Sequence, residues 1–267
     1  MGQTGQKSNK QVIAVIPARY HSTRLEGKLL LPLAGKPLIL HTADRVRAAR
    51  NVDRVIVATD DLRIMQAVSD AGCEAVMTAG THQSGSDRIA EIAKTFEPET
   101  IVVNVQGDEP LISPLTIETA VGAMLETAEA DIVTCWEPIA DAADVLSPDV
   151  VKVVLDSEGF ALYFSRAPIP FPREAVKKHG DLKDALANDW ALLSLFRKHT
   201  GLYVYRREYL LKYTKLEQTR GEKTEMLEQL RALENGARIK VVEAAEPSIG
   251  VDTEEDYQRV KDLMEKM

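Results

Sequence analysis

Short apolar runs alternate with helix-like stretches through the first half of this chain and leave few ways to fold it. The runs 12–16, 54–58, 74–77, 101–105 and 132–136 are four or five residues long and rich in β-branched side chains, which is the signature of buried strands. Between them, 38–49, 62–71, 87–96 and 114–127 read as helices. In the third of these, Ile89, Ile92, Ala93 and Phe96 recur at helical spacing. Ser113 is placed to cap the fourth, with Pro114 at its first position. Strands separated by helices are joined by crossovers, and crossovers give a parallel sheet. The expected fold is α/β, a mainly parallel, doubly wound sheet.

The pattern changes after Trp136. Runs 151–155 and 160–164 flank Asp156-Ser157-Glu158-Gly159 and read as a hairpin. Residues 170–198 carry Pro170, Pro172 and mixed charges before the apolar run 190–196. They read as an insertion that packs on the main sheet or on another subunit. Then come a strand at 202–205, one helix over 222–234 closed by Asn235-Gly236, a strand at 239–243 and a helix over 253–267. The expected organisation is a flexible leader, 1–11, and a single domain, 12–267, with the hairpin-containing insertion and a self-association region at about 151–206.

Composition narrows the class. The 267 residues, 45% hydrophobic, are enough for one large domain. A net charge of -8 argues against non-specific nucleic-acid binding and against attraction to anionic membranes. Residues 1–11 are polar and lack the apolar centre of a secretory signal, and no run approaches spanning length. A cytoplasmic location and no membrane insertion are expected. The two cysteines, Cys73 and Cys135, sit in apolar surroundings without metal-ligand spacing and read as small core residues.

Four stretches carry chemistry. The first strand empties into Arg19, Arg24 and Lys28, and ligands in open α/β sheets bind beyond the carboxyl ends of strands. Cations there neutralise phosphate oxygens; the alternative is a solvated loop. Asn104-Val105-Gln106-Gly107-Asp108-Glu109-Pro110 ends another strand. Its carboxylates suit a hard ion such as Mg²⁺, although Gly, Asp and Pro also form turns unaided. In Gly250-Val251-Asp252-Thr253, Asp252 either caps the last helix, as Thr253 also can, or reaches the same metal. In His82-Gln83-Ser84-Gly85-Ser86-Asp87-Arg88, Ser84 and Ser86 are helix caps, or they join Arg88 in reading a base or its ribose.

Taken together, these stretches resemble the 3-deoxy-manno-octulosonate (Kdo) cytidylyltransferases, the CMP-Kdo synthetases. Ile-Pro-Ala-Arg, Ser-Thr-Arg-Leu and Gly-Lys at 16–28, Ala-Thr-Asp-Asp at 58–61, 82–88 and 104–110 follow that order. So do Ala-Leu-Tyr-Phe-Ser-Arg with Pro-Ile-Pro at 161–170, His-Thr-Gly-Leu-Tyr-Val-Tyr-Arg at 199–206, Leu-Glu-Gln-Leu-Arg at 227–231 and Gly-Val-Asp-Thr at 250–253. The resemblance runs from Val12 to the last helix; the blocks at 165–170, 199–203 and 227–231 favour Kdo over sialic acid. Glu26 and Leu30 stand where the family usually has Pro, and Ser86 where it has Thr.

The resemblance implies a sheet of the nucleotide-diphospho-sugar transferase type and the reaction CTP + Kdo → CMP-Kdo + pyrophosphate, feeding lipopolysaccharide biosynthesis. It implies Arg19, Arg24 and Lys28 on the triphosphate, with Lys28 on the α-phosphate. Asp108 and Asp252 would hold Mg²⁺, and Ser84, Arg88 and Gln106 the cytidine side. Arg166 would take the sugar carboxylate, and His199, Tyr203, Glu225, Glu228 and Gln229 sugar hydroxyls; Leu227 and Leu230 would face the core. A homodimer is expected. Competing readings are transfer to an 8-amino Kdo or sialic acid, a retaining glycosyltransferase, and a non-catalytic nucleotide-binding protein.

Overall fold

The first strand, β1 (Val12–Ala18), is buried at every position, and the sheet is built outward from it. A computed structural model describes residues 10–22 and 24–266; residues 1–9, Thr23 and Met267 lie outside the described residues, and most of the expected leader with them. Of that leader, Lys10 pairs with Glu99 and the Gln11 carbonyl accepts from Ile101 N–H.

After β1 come the two-residue strands β2 (Pro32–Leu33) and β3 (Lys36–Pro37), then α1 (Leu38–Arg47), β4 (Arg54–Thr59), α2 (Leu62–Asp70), β5 (Glu74–Met77), α3 (Gly85–Ala93), β6 (Ile101–Asn104), α4 (Pro114–Glu126) and β7 (Ile132–Pro138). Next are α5 (Ala142–Leu146), β8 (Lys152–Leu155), β9 (Ala161–Ser165), α6 (Arg173–His179), α7 (Leu182–Asn188) and β10 (Arg197–Arg206). The chain closes with α8 (Arg207–Tyr213), α9 (Arg220–Glu225), α10 (Glu228–Glu234), β11 (Ile239–Glu243) and α11 (Glu254–Met264).

The main sheet runs β11-β7-β10-β6-β1-β4-β5, with the β8–β9 hairpin attached through β10. β1 pairs in parallel with β4 and β6, β4 with β5, and β11 with β7. Only β10 on that path runs against both its neighbours. The sheet is therefore mainly parallel, as its alternation of strands and helices demands, with one reversed strand near its middle. Side chains alternate between faces: Ala14 and Ile16 join one core cluster, Ile13 and Val15 the other. A third, smaller cluster, which includes Val145, Leu186, Leu193 and Phe196, gives the 170–198 insertion its own apolar seat.

The expected single helix over 222–234 is two. α9 ends where Met226 takes left-handed dihedrals (φ 53°, ψ 47°), and Leu227 N–H bonds back to the Glu222 carbonyl. The cause is tertiary. Glu225 accepts from Ser165 Oγ (2.7 Å) and Arg166 N–H (2.9 Å) at the end of β9. Leu227 and Leu230, two and five residues on, are buried in the core as expected. One straight helix cannot meet both demands. Cys73 and Cys135 are buried free thiols. Among the described residues, no helix is long and apolar enough to cross a membrane.

Candidate active site

Adjacent parallel strands β1 and β6 end side by side, and each runs into a loop that carries charge. Beyond β1 the chain turns tightly. Gly27 N–H bonds the Tyr20 carbonyl (3.0 Å), and Gly27 sits at φ 66° with a Cβ position 3.0 Å from the Tyr20 ring. Only glycine meets both conditions without strain. The turn brings Lys28 back beneath the strand ends. Beyond β6, Gly107 passes close to β1, where a Cβ would lie 3.1 Å from the Pro17 carbonyl. That close passage sets Asp108 opposite Lys28.

The third participant comes from far along the chain. The loop after β11 returns across the strand ends, and Val251 N–H bonds the Asp108 carbonyl at 2.8 Å. Thr253 caps α11 and forms a capping box with Asp256. The Asp252 carboxylate thus faces the cleft: Lys28 Nζ lies 2.5 Å from Asp108 Oδ2 and 2.8 Å from Asp252 Oδ1. Arg24 adds a contact to Asp252 Oδ2 at 3.0 Å. Burial opposes the Lys28 charge, but Asp108 and Asp252 outweigh it and raise its pKa. Burial likewise disfavours the charged Asp252, and Lys28 with Arg24 outweighs it and lowers its pKa.

These groups line a cleft of about 480 Å³ together with Arg19, Gln106, His21, Ser22 and Gly85. A second cleft of about 630 Å³ adjoins it, sharing Arg19 and Gly85 and reaching Glu228, Met226 and Arg231. Glu26 is exposed and pairs with His21 at 3.5 Å, and it does not line the cleft.

The structure sorts the expected ligand-binding residues into three groups, one for each cleft and a third, Arg88, Arg166, His199, Tyr203, Glu225 and Gln229, that lines neither. Arg19, Arg24, Lys28, Gln106, Asp108 and Asp252 share the first cleft. Ser84 and Glu228 line the second. Ser84 caps α3 in a capping box with Asp87, and Glu228 accepts from Ser86 Oγ at 3.0 Å. Arg88 is placed differently from expectation. It is fully buried and donates to Thr78 Oγ1 (2.5 Å) and Asp60 Oδ2 (2.7 Å), so it braces the strand ends from beneath and does not line either cleft.

Arg166 also lines neither cleft; it donates to the carbonyls of Glu225 (2.7 Å), Pro148 (2.8 Å) and Met226 (3.5 Å). Three of the five donors of its guanidinium are thus engaged with backbone. Glu225 holds β9, and Gln229 is buried. The three side chains expected on one helix face therefore diverge, because the helix breaks between them. His199 and Tyr203 lie in an aromatic row: His199 is 5.0 Å from the Phe164 ring and 5.5 Å from that of Tyr203. Burial pushes the His199 pKa down to about 3 and that of Tyr203 well above its ordinary value. His199 Nε2 meets Thr134 Oγ1 at 2.9 Å.

Sequence reasoning missed several contributors, His21 and Ser22 of the first cleft among them. Gly85, at the start of α3, lines both clefts; its place between two serines in a helix-opening stretch was the available signal. Glu109, one of the two acids that the sequence offered beside each other, turns to Ser248 instead, and Ser248 left no signal because that bond depends on the return path of a distant loop.

A family model described as cytidylyltransferase matches residues 13–239. A 3-deoxy-manno-octulosonate cytidylyltransferase of Geobacter sulfurreducens is 51% identical over 93% of this chain and 97% of its own length. The protein of that name in Trichlorobacter lovleyi is 49% identical over 96% of this chain and 99% of its own. Among solved structures, a CMP:2-keto-3-deoxy-manno-octonic acid synthetase complexed with CTP superposes with a TM-score of 0.86 at 40% identity, covering 96% of this chain and 99% of that one. A 4-diphosphocytidyl-2C-methyl-D-erythritol synthase from Anaerococcus prevotii, 13% identical with a TM-score of 0.61 over 96% of this chain and 99% of its own, shares the fold.

Proposed function

Because the chain belongs to the 3-deoxy-manno-octulosonate cytidylyltransferases within the cytidylyltransferase family, we propose that it transfers CMP from CTP to the anomeric hydroxyl of Kdo. The observation that carries the chemistry is the meeting of Lys28, Asp108 and Asp252 in one cleft with Arg19 and Arg24. The hydroxyl oxygen attacks the α-phosphorus, the bond to pyrophosphate breaks, and the hydroxyl proton leaves to solvent. Little covalent work falls to the protein in such a transfer; position and charge decide the rate.

Arg19, Arg24 and Lys28 are assigned to the triphosphate, and Lys28 to charge that gathers on the α-phosphate. Gln106 and the start of α3 with Ser84 are assigned to the cytidine, with Arg88 as a brace beneath them. Arg166, His199, Tyr203, Glu225, Glu228 and Gln229 are assigned to the sugar side. Of these only Glu228 lines a cleft; Arg166 and Glu225 act there by fixing the end of β9, and His199, Tyr203 and Gln229 as supports behind it.

Asp108 and Asp252 fit a hard divalent ion. Their oxygens lie no further apart than the sum of their contacts to Lys28. Among the described residues no third acid, His or Cys joins them, and Mg²⁺ is commonly held by one or two carboxylates with phosphate oxygens completing the set. Bound Mg²⁺ supplies charge neutralisation and a lowered hydroxyl pKa. The partner proposed is a second copy of the chain, met through the exposed Phe171, Trp190 and Leu195 of the insertion. The proposed setting is the cytoplasm, in lipopolysaccharide assembly.

Incubation with CTP, Mg²⁺ and a panel of acidic sugars, read as pyrophosphate release, tests the assignment. Release with Kdo is expected. Release only with sialic acid or an 8-amino Kdo moves the substrate, and no release with any sugar overturns the enzyme.

A further inference from the structure

Asp252 can serve the cleft only if the ten-residue return after β11 is held in place, and the fastening sits on the side away from Lys28. Ser248 lies midway along that return. Its Oγ donates to Glu109 Oε2 at 2.7 Å, and its N–H donates to Glu137 Oε1 at 3.0 Å. Glu137 is buried, takes a second hydrogen bond from Thr200 Oγ1 (3.0 Å), and pairs with Lys198 at 3.4 Å. Glu109 stands next to Asp108 in the chain yet turns the opposite way, towards Ser248. One serine thus bridges a carboxylate near the end of β7 and another in the loop after β6, across the intervening β10, three residues before the Val251–Asp108 backbone bond.

We propose that Ser248 is a positioning residue: its two hydrogen bonds to Glu109 and Glu137 clasp the return loop to the strand ends and so hold Asp252 opposite Asp108. The inference rests on the reading of those two acids as the metal-binding pair. Without the hydroxyl, Glu109 keeps no side-chain donor among the described residues, and the return loop loses one of its two ties to the strand ends. A half-buried acceptor left unsatisfied is costly, and part of that loss falls on Asp252. Ser248 itself lines neither cleft.

The test uses the full chain with CTP and Mn²⁺, a paramagnetic substitute for Mg²⁺, and no sugar. Bound Mn²⁺ is read by electron paramagnetic resonance for the wild type, Ser248→Ala and Ser248→Thr. Ser248→Ala is expected to weaken Mn²⁺ binding by about five- to tenfold. It should raise the Mg²⁺ half-saturation of turnover by the same factor and leave KM for CTP at saturating Mg²⁺ within about twofold. Ser248→Thr, which keeps the hydroxyl, should restore the wild-type value. A Ser248→Ala protein that binds Mn²⁺ like the wild type, with only a lower Tm, overturns the clasp and leaves the two-acid site standing. A wild type that holds no Mn²⁺ with CTP overturns the two-acid site and the clasp with it.

Discussion

Asp252 and Thr253 are neighbours with separate tasks. Thr253 closes the capping box of α11, while Asp252 faces Lys28 and Arg24. Asp252→Ala is expected to abolish pyrophosphate release with the fold intact. Losing a mere outer partner of a metal ligand costs ~10–100-fold, and a ligand costs more. Thr253→Ala should cost about 1 kcal/mol of stability and retain turnover. An Asp252→Ala protein that turns over normally but melts early would reverse these roles. His199 offers a pH test. Its folded pKa, about 3, lies below its unfolded value near 6.5, so the fold holds the neutral ring. That stabilisation is complete above pH 6.5 and drains away as the pH falls towards 3. Lowering the pH from 6.5 to 5 should remove about 2 kcal/mol. Urea midpoints of wild type and His199→Gln should accordingly converge between pH 7.5 and 5; a constant gap contradicts the assignment. The charged positions of the cleft were legible in the sequence, their partners less so. Arg88 and Arg166 look like ligand cations, yet one pairs with Asp60 and the other with backbone carbonyls, and a carbonyl leaves no mark in a sequence.

At the scale of elements, periodicity located β1, β4, β5, β6, β7 and the helices between them to within a few residues, because those segments bury apolar side chains at regular intervals. The short helices α5 to α8 escaped it, and so did two features with a readable cause. β10 begins at Arg197, five residues before its apolar part, and its register on β7 shifts between Thr200 and Tyr203; the polar start Arg197-Lys198-His199-Thr200 hides a strand whose side chains serve Glu137 and Thr134. The break at Met226 was hidden by the regular spacing of Leu227 and Leu230. Met226 is exposed, so its backbone, not its packing, sets the cost. A side chain in the left-handed region costs about 1–2 kcal/mol, most for bulky and branched residues. Met226→Gly should therefore be at least as stable as the wild type in urea, and Met226→Ile less stable by about 1 kcal/mol. Equal midpoints for all three would mean that the joint is not fixed in that conformation.

For the whole molecule, a net charge of -8 coexists with three cations at one cleft, so the attraction proposed for a polyphosphate is local. The insertion leaves Trp190 75% exposed and Phe171 61% exposed, apolar area that a second copy would cover. Sedimentation of Trp190→Glu should show a shift towards monomer relative to the wild type; an unchanged profile removes this face from the assembly. The cleft draws on distant stretches: Lys28 and Asp252 are separated by 224 positions. Dividing the polypeptide at the exposed Ser157–Glu158 turn leaves the cations and Asp108 on one fragment and Asp252 on the other. On the proposed site each half alone is expected to be inert, with nucleotide chemistry returning only upon their reunion, which would make this chain a split reporter of two molecules meeting.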